Sequence, residues 1–304
     1  MKKIRQIQFH AGSQEELLPD FGMDFPYIAS RAELDQYPDH FVPWHWHKAV
    51  ELFYVESGEV EYNLPSGKIC FPAGSGGLLN SNILHASRGI SLINENVEFC
   101  HIFDASLIAG GRGSRIEEKY VLPLITVPQA EMIALYPGNP VHQEILKMIR
   151  NAFDISEKEF GFEIHLRAVL SEIWIRIFQQ AVPLLAQPPK LRKNNDKIKD
   201  LMIYVHQHYS EKLVISQLAS AVFLSERECF RIFQECLHMT PMQYIQNYRL
   251  QMACQMLAET RASVTEISHA CGLGSSSYFG RVFRTSMGCS PKEYRQKWQN
   301  SDIR

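Results

Sequence analysis

The sequence predicts two domains of different class: an all-β first half closed by two helices, and an all-α second half. Three observations carry this expectation. Residues 41–104 hold many short apolar runs, residues 215–295 hold a helical segment that occurs twice, and residues 183–197 between them carry no apolar period. With 304 residues the chain is long enough for about two domains. Its 45% hydrophobic and 21% charged residues are ordinary for a globular protein, so each half can bury a core.

Taken in order, the N-terminal "MKKIRQIQFHAGSQEELLPD" is basic with no apolar segment behind it, so no signal peptide is expected. The runs "VELFYVES", "VEYNL", "KICF", "GLLN" and "VEFCHIFD" follow, rich in β-branched and aromatic residues and separated by Gly, Pro, Ser and Asn. Many short strands at close spacing predict an antiparallel sandwich or small barrel. Ile145, Met148, Ile149 and Phe153 then keep an i, i+3, i+4 rhythm, as do Leu166, Val169, Leu170, Ile173 and Ile177, which predicts two helices covering that barrel's core. The most apolar stretch, "IWIRIFQQAVPLLA", is cut by Arg176 and Pro183 and is too short to span a bilayer. A cytoplasmic protein without a membrane partner is expected.

"PLLAQPPKLRKNNDK" reads as an exposed linker over 183–197, separating domains at 1–182 and 198–304. Net charge is −2, but it is unevenly shared: residues 1–189 sum to −8 and residues 190–304 to +6. A basic second half suits a polyanion. The seven cysteines (70, 100, 229, 236, 254, 271 and 289) are scattered and never spaced CxxC. They predict buried thiols rather than a disulfide framework or a zinc ribbon.

The second half repeats itself. "LSERECFRIFQECLHMTPMQYI" (224–245) matches "GSSSYFGRVFRTSMGCSPKEYR" (274–295) at an offset of 50. This pairs Arg231 with Arg281, Phe233 with Phe283, Pro241 with Pro291 and Tyr244 with Tyr294. Upstream, "ISQLASA" (215–221) matches "VTEISHA" (264–270) at an offset of 49, so one residue is added in the second turn. Each copy reads as a short helix, a turn and a second helix. Ser225 is an expected N-cap with Glu228 three residues on. Cys229, Ile232, Phe233 and Cys236 would face inward, leaving Arg227, Phe230, Arg231 and Gln234 outside. In the second copy Phe279, Val282 and Phe283 face inward, and Ser276, Ser277, Arg281 and Arg284 project. A lone exposed arginine is usually just solvated. An arginine recurring beside the same phenylalanine in two copies suits a helix that enters the major groove.

With these motifs the segment 198–298 resembles the DNA-binding domain of the AraC/XylS family of bacterial transcription regulators. The resemblance rests on "LASAVFLSERECFRIF", "TPMQYIQNYRLQMACQML" and "VTEISHACGLGSSSYFGRVFRTSMGCSPKEYR". It implies two helix-turn-helix units joined by a rigid helix at about 241–258. Double-stranded DNA would be read by Arg227, Phe230, Arg231, Gln234, Ser276, Ser277, Arg281 and Arg284. Departures from the pattern are His238, where the family has Gly as at Gly288, and Leu273 in place of Phe. The first half, about residues 40–180, resembles the cupin barrel that binds effectors in many members. This implies a homodimer paired through the helices after the barrel, and contact with RNA polymerase.

In "HWHKAVELFYVESG", His45 and His47 share one face of a strand and Trp44 and Trp46 the other. Glu51, Phe53 and Val55 keep the histidines' parity. The spacing His-x-His-x3-Glu-x6-Gly equals the first metal-cupin motif, and His85 stands where a second motif would add a ligand, though too far beyond Pro72-Ala73-Gly74 for the strict pattern. Three readings stand side by side. His45, His47, Glu51, Phe53 and His85 line an effector pocket, for a sugar if Trp44, Trp46, Phe53 and Tyr54 stack on its ring. Or His45, His47, Glu51 and His85 hold a divalent metal such as Fe, Mn, Ni or Zn. Or the histidines are merely packed. The expected function is a non-enzymatic, effector-responsive transcription regulator. The alternative is a metal-dependent cupin enzyme fused to a DNA-binding domain.

Overall fold

The computed structural model describes residues 2–4, 7–10, 15–18, 21–22, 24–187 and 194–299. They form two compact units, one up to residue 187 and one from residue 194.

Among the described residues of the first unit, the strands are β1 (Lys2–Ile4), β2 (Tyr27–Glu33), β3 (Phe41–His45), β4 (Val50–Ser57), β5 (Glu59–Leu64), β6 (Gly67–Pro72), β7 (Gly76–Leu79), β8 (His85–Gly89), β9 (Val97–Phe103) and β10 (Met132–Leu135). They build a six-stranded sheet in the order β1-β2-β9-β4-β7-β10 and a four-stranded sheet in the order β3-β8-β5-β6. Pairing is antiparallel except at one edge, where β1 runs parallel to β2. All five expected strand runs are strands. The strands outside those runs are β1, β2, β3, β8 and β10. β3 contains Pro43 and β8 reads "HASRG", so neither has the composition of a strand. Both are strands because they pair with each other, His45 lying opposite His85.

Two helices follow, α1 (Ser106–Ala109) and α2 (Leu122–Ile125), and then the two expected ones, α3 (Pro140–Ala152) and α4 (Phe162–Leu185). Asn139 caps α3 by accepting from the Val141 amide at 2.9 Å. Ile145, Ile149, Leu166, Leu170, Ile173 and Ile177 are buried against Val50, Leu52 and Phe103 of the large sheet. At about 1.5–3 kcal/mol per buried side chain, this layer is a main source of the unit's stability. Strand β4 is therefore covered on both faces: Val50 and Leu52 meet the helices, while Phe53 and Val55 join Val60, Tyr62 and Phe71 inside the barrel. Gly76 and Gly77 permit close approach across β7, since a Cβ there would strike the carbonyl oxygens of Phe53 and Ile133.

The linker is shorter than expected. Residues 183–185 finish α4 and residues 195–197 begin α5 (Asn195–His208), while 188–193 lie outside the described residues. Pro183 falls in the last turn of α4, where it removes the amide that would donate to the Gln179 carbonyl, two residues before the helix ends.

The second unit continues with α6 (Ile215–Ala221), α7 (Glu226–Leu237), α8 (Pro241–Glu259), α9 (Val264–Ala270), α10 (Ser276–Met287) and α11 (Pro291–Gln299). Ser225 caps α7 in a reciprocal box with Glu228, as the sequence predicts, and Thr240 with Gln243 and Ser263 with Glu266 do the same for α8 and α9. The repeat is kept in space. Phe233 packs on Tyr244 and Phe283 on Tyr294, both pairs at 5.4 Å between ring centroids. Phe223 (φ +56°) and Gly272 (φ +64°) are left-handed at an offset of 49, and the N-caps Ser225 and Ser275 at an offset of 50. The added residue is therefore Gly274, itself at φ +71°. Of the seven cysteines, Cys100, Cys229, Cys236, Cys254 and Cys271 are buried, but Cys70 is exposed and Cys289 half-buried; none of them forms a disulfide.

Candidate functional site

The two units carry separate candidate sites. On α7, Arg227, Phe230, Arg231 and Gln234 are all exposed, with Cys229, Ile232, Phe233 and Cys236 buried behind them. Positions 227, 230, 231 and 234 lie on one helical face. On α10 the face at an offset of 50 is Ser277, Gly280, Arg281 and Arg284, with Ser276 at the N-terminal turn. Glycine at 280 leaves this second face flatter. Arg231 is paired within its own helix, Nη1 donating to Glu235 at 2.9 Å, and Arg281 lies 5.7 Å over the exposed ring of Tyr278. Glu235 and Tyr278 were missed by sequence reasoning, although the repeat register places Tyr278 opposite Glu228 and so already marks it as a rim position.

The barrel site is assembled from three elements. The end of β3 with the turn after it brings His45 and His47, β4 brings Glu51, and β8 brings His85; all four are buried. One ring nitrogen of each histidine lies within 4.8 Å of the others. Each Nδ1 faces a backbone carbonyl: His45 meets Pro43 O at 2.7 Å, His47 meets Ala49 O at 2.9 Å and His85 meets Ile83 O at 2.9 Å. A carbonyl only accepts, so each Nδ1 carries the proton and donates it. Each Nε2 is thereby left as the free ring atom. That of His47 is buried with no hydrogen-bond partner and stands 3.4 Å from a Glu51 oxygen.

The electrostatics follow from burial. Burial, and the neighbouring His47, push His45 down to about 4. Burial together with His45 and His47 holds His85 well below its ordinary range. Burial also disfavours charge on His47 and Glu51, yet each is the other's counter-charge, so His47 is raised and Glu51 lowered. Deeper in the barrel, the Tyr62 hydroxyl lies 3.0 Å from Glu51 and 2.7 Å from Glu98. Burial and the Glu51 charge raise Glu98 well above the carboxylate range, and Cys100 is raised for the same reasons. Tyr62 has one proton for two partners, so Glu98 stays protonated and supplies its own.

Glu16 was not foreseen either. It is 8% exposed, one carboxylate oxygen is 3.9 Å from His45 Nε2, and burial raises it to about 7. These groups surround a cavity of about 60 Å³ lined by Glu16, Tyr37, His45, Glu51, Tyr62, His85, Glu98 and Cys100. Nothing in the sequence marks Glu16, whereas Glu98 and Cys100 alternate on one face of β9 with Glu51's parity. Phe53 is corrected: it does not line the cavity but packs 4.7 Å from Tyr62 beneath it. Trp44, Trp46 and Tyr54 do not line it either, nor does His47, whose Nε2 stands 3.4 Å behind the lining Glu51.

A barrel with a cavity lined by both polar and apolar side chains, followed by two helix-turn-helix units with exposed arginines, defines a ligand-binding module fused to a DNA-binding one. Residues 27–173 match the model of the AraC-like ligand binding domain, and residues 218–297 match a helix-turn-helix domain. The transcriptional regulator YdeC of Bacillus subtilis is 24% identical over 288 residues, 93% of this chain and 96% of that one. The transcriptional activator RhaS of Salmonella schwarzengrund is 31% identical over 175 residues, 56% of this chain and 61% of that one. Among solved structures, the DNA-binding domain of the transcriptional factor AdpA in complex with a target DNA is 25% identical, with a TM-score of 0.33 over 34% of this chain and 94% of that one.

The chain belongs to the AraC family of helix-turn-helix transcriptional regulators. It is a DNA-binding regulator with an N-terminal ligand-binding domain. Among the described residues, no helix is long and apolar enough to cross a membrane.

Proposed function

We propose that this regulator senses a divalent transition-metal ion held in the barrel by His45, His47, His85 and Glu51. The observation that carries the reading is the set of three Nδ1–H donors tied to backbone carbonyls, which leaves Nε2 as the acceptor nitrogen of three buried histidines whose ring nitrogens cluster within 4.8 Å. Metal-binding histidines are oriented by this kind of outer hydrogen bond. Two donors about 2.1 Å from one ion, at ordinary coordination angles, lie roughly 3.0–3.4 Å apart. The His47–Glu51 separation of 3.4 Å fits that edge. Nitrogen and carboxylate donors without a ligating thiolate suit Fe, Mn, Ni or Zn.

The cavity size supports an ion over a sugar. About 60 Å³ is room for only a few waters, while pockets for organic ligands run to about 300–1,000 Å³. The same limit speaks against the enzyme alternative, since an organic substrate needs that larger space. The experiment is native mass spectrometry with elemental analysis of the full chain. One transition-metal ion per chain, lost in His47→Ala, supports the reading; a metal-free chain that takes up none of the four ions overturns it.

The chain is further proposed to act in the cytoplasm as a homodimer that contacts RNA polymerase, the dimer pairing through α4. Ile164, Ala168, Ser171, Ile175, Phe178 and Val182 recur at spacings of four and three, the heptad period of a coiled-coil seam. This stripe is offset from the one packed on the sheet, which it meets only at Phe178, and Ile164 and Val182 are 79% and 49% exposed. Ile164→Lys should convert the dimer to a monomer in light scattering without changing the barrel's far-ultraviolet spectrum.

A further inference from the structure

The N-terminal segment enters the barrel site from outside the motif that marks it. Residues 7–10 and 15–18 lie antiparallel, with the Leu17 amide donating to Gln8 O at 2.8 Å and the His10 amide to Glu15 O at 3.0 Å. The Glu16 amide donates to Trp46 O at 2.8 Å, between the two histidines of the end of β3. Its backbone is thus fixed on the strand that presents His45 and His47, and its side chain is buried among them.

The two carboxylates flank the histidine cluster at different places. Glu51 stands 3.4 Å from His47 Nε2, and Glu16 stands 3.9 Å from His45 Nε2. No lysine or arginine lines the cavity. A divalent ion with three neutral imidazoles and one carboxylate leaves a net positive charge in a buried site, and such a charge is costly unless compensated. A second carboxylate makes the site neutral. Glu98 is placed differently: it is hydrogen-bonded to Tyr62 and clusters with Glu51 and Cys100 rather than with the histidines.

We infer that Glu16 is a second carboxylate ligand of the same ion, so that metal occupancy ties the N-terminal segment to the barrel. This rests on the metal reading above, and the test separates the two. Cobalt(II) is the probe, added to the chelator-treated full chain; its visible absorption strengthens as coordination number falls. Glu16→Gln keeps the shape and loses the charge. It should weaken cobalt binding by at least about tenfold and intensify the absorption bands, while Glu61→Gln, whose carboxylate pairs with Lys68 and does not line the cavity, stays within about threefold of the parent. Glu16→Asp should recover part of the affinity. Melting of the metal-free variants reports folding independently, and hydrogen exchange at residues 15–18 should slow with cobalt in the parent but not in Glu16→Gln. Cobalt binding lost in His47→Ala but unchanged in Glu16→Gln overturns this inference and leaves the metal reading standing. A parent chain that binds no cobalt overturns both.

Discussion

Lowering the pH should loosen the ligand-binding unit through His101, on the helix-facing side of β9. The ring is fully buried, 2.7 Å from the Tyr27 hydroxyl at Nδ1, 3.0 Å from Ile149 O at Nε2, and stacked 3.6 Å from Phe153. The Ile149 carbonyl only accepts, so Nε2 carries the proton and Tyr27 donates to Nδ1. The native fold therefore holds the neutral ring, and burial lowers it from 6.5 to about 4. Once unfolded, the side chain takes a proton below about pH 6.5. Between those values the unfolded chain binds more protons, so stability falls as pH falls, and the loss levels off below about pH 4. At 1.36 kcal/mol per pH unit the loss is about 2 kcal/mol at pH 5 and about 3 kcal/mol at pH 4. The assay is urea unfolding of the parent and His101→Gln between pH 7 and 4.5. Glutamine offers a donor and an acceptor without titrating, so the other buried histidines cancel in the comparison. Parallel pH profiles for the two proteins, or a His101 resonance titrating near pH 6.5, would refute the argument.

Other expectations can be checked more briefly. Arg231→Ala and Arg281→Ala should each weaken operator binding by about 1–3 kcal/mol, and footprinting should place the losses on different half-turns. Because Arg231 is held by Glu235 in the free protein, Glu235→Gln should tighten binding in the same titration. Residues 190–304 alone should bind DNA more weakly than the full chain at equal salt, since the dimer's effective-concentration gain is gone. His238 is left-handed (φ +56°) where the second copy has Gly288, so His238→Gly should raise stability by about 0.5–1 kcal/mol in thermal melts. Phe233→Ala should cost the second unit about 3–5 kcal/mol, because it empties the contact with Tyr244.

The α-helical half was legible because its information is local and doubled. Caps such as Ser225 with Glu228 act over three residues, and the inward stripe of Cys229, Ile232, Phe233 and Cys236 repeats with the helix turn. The second copy then confirms each position, down to Phe233 on Tyr244 and Phe283 on Tyr294. In the barrel, parity along a single strand placed Glu51 on the inner face and Val50 and Leu52 on the outer. Tertiary structure alone decided the rest. β3 and β8 are strands by pairing rather than by composition, which is why His85 reaches His45 despite the irregular second motif. Glu16 arrives from a segment without periodicity, and Phe53 has the right parity but sits a layer below the cavity. Parity names a side chain's face, but its depth is set by which neighbours fill that face, and those come from distant strands. The site's charge balance is likewise a property of groups 30 to 80 residues apart, brought together only when the sheets close.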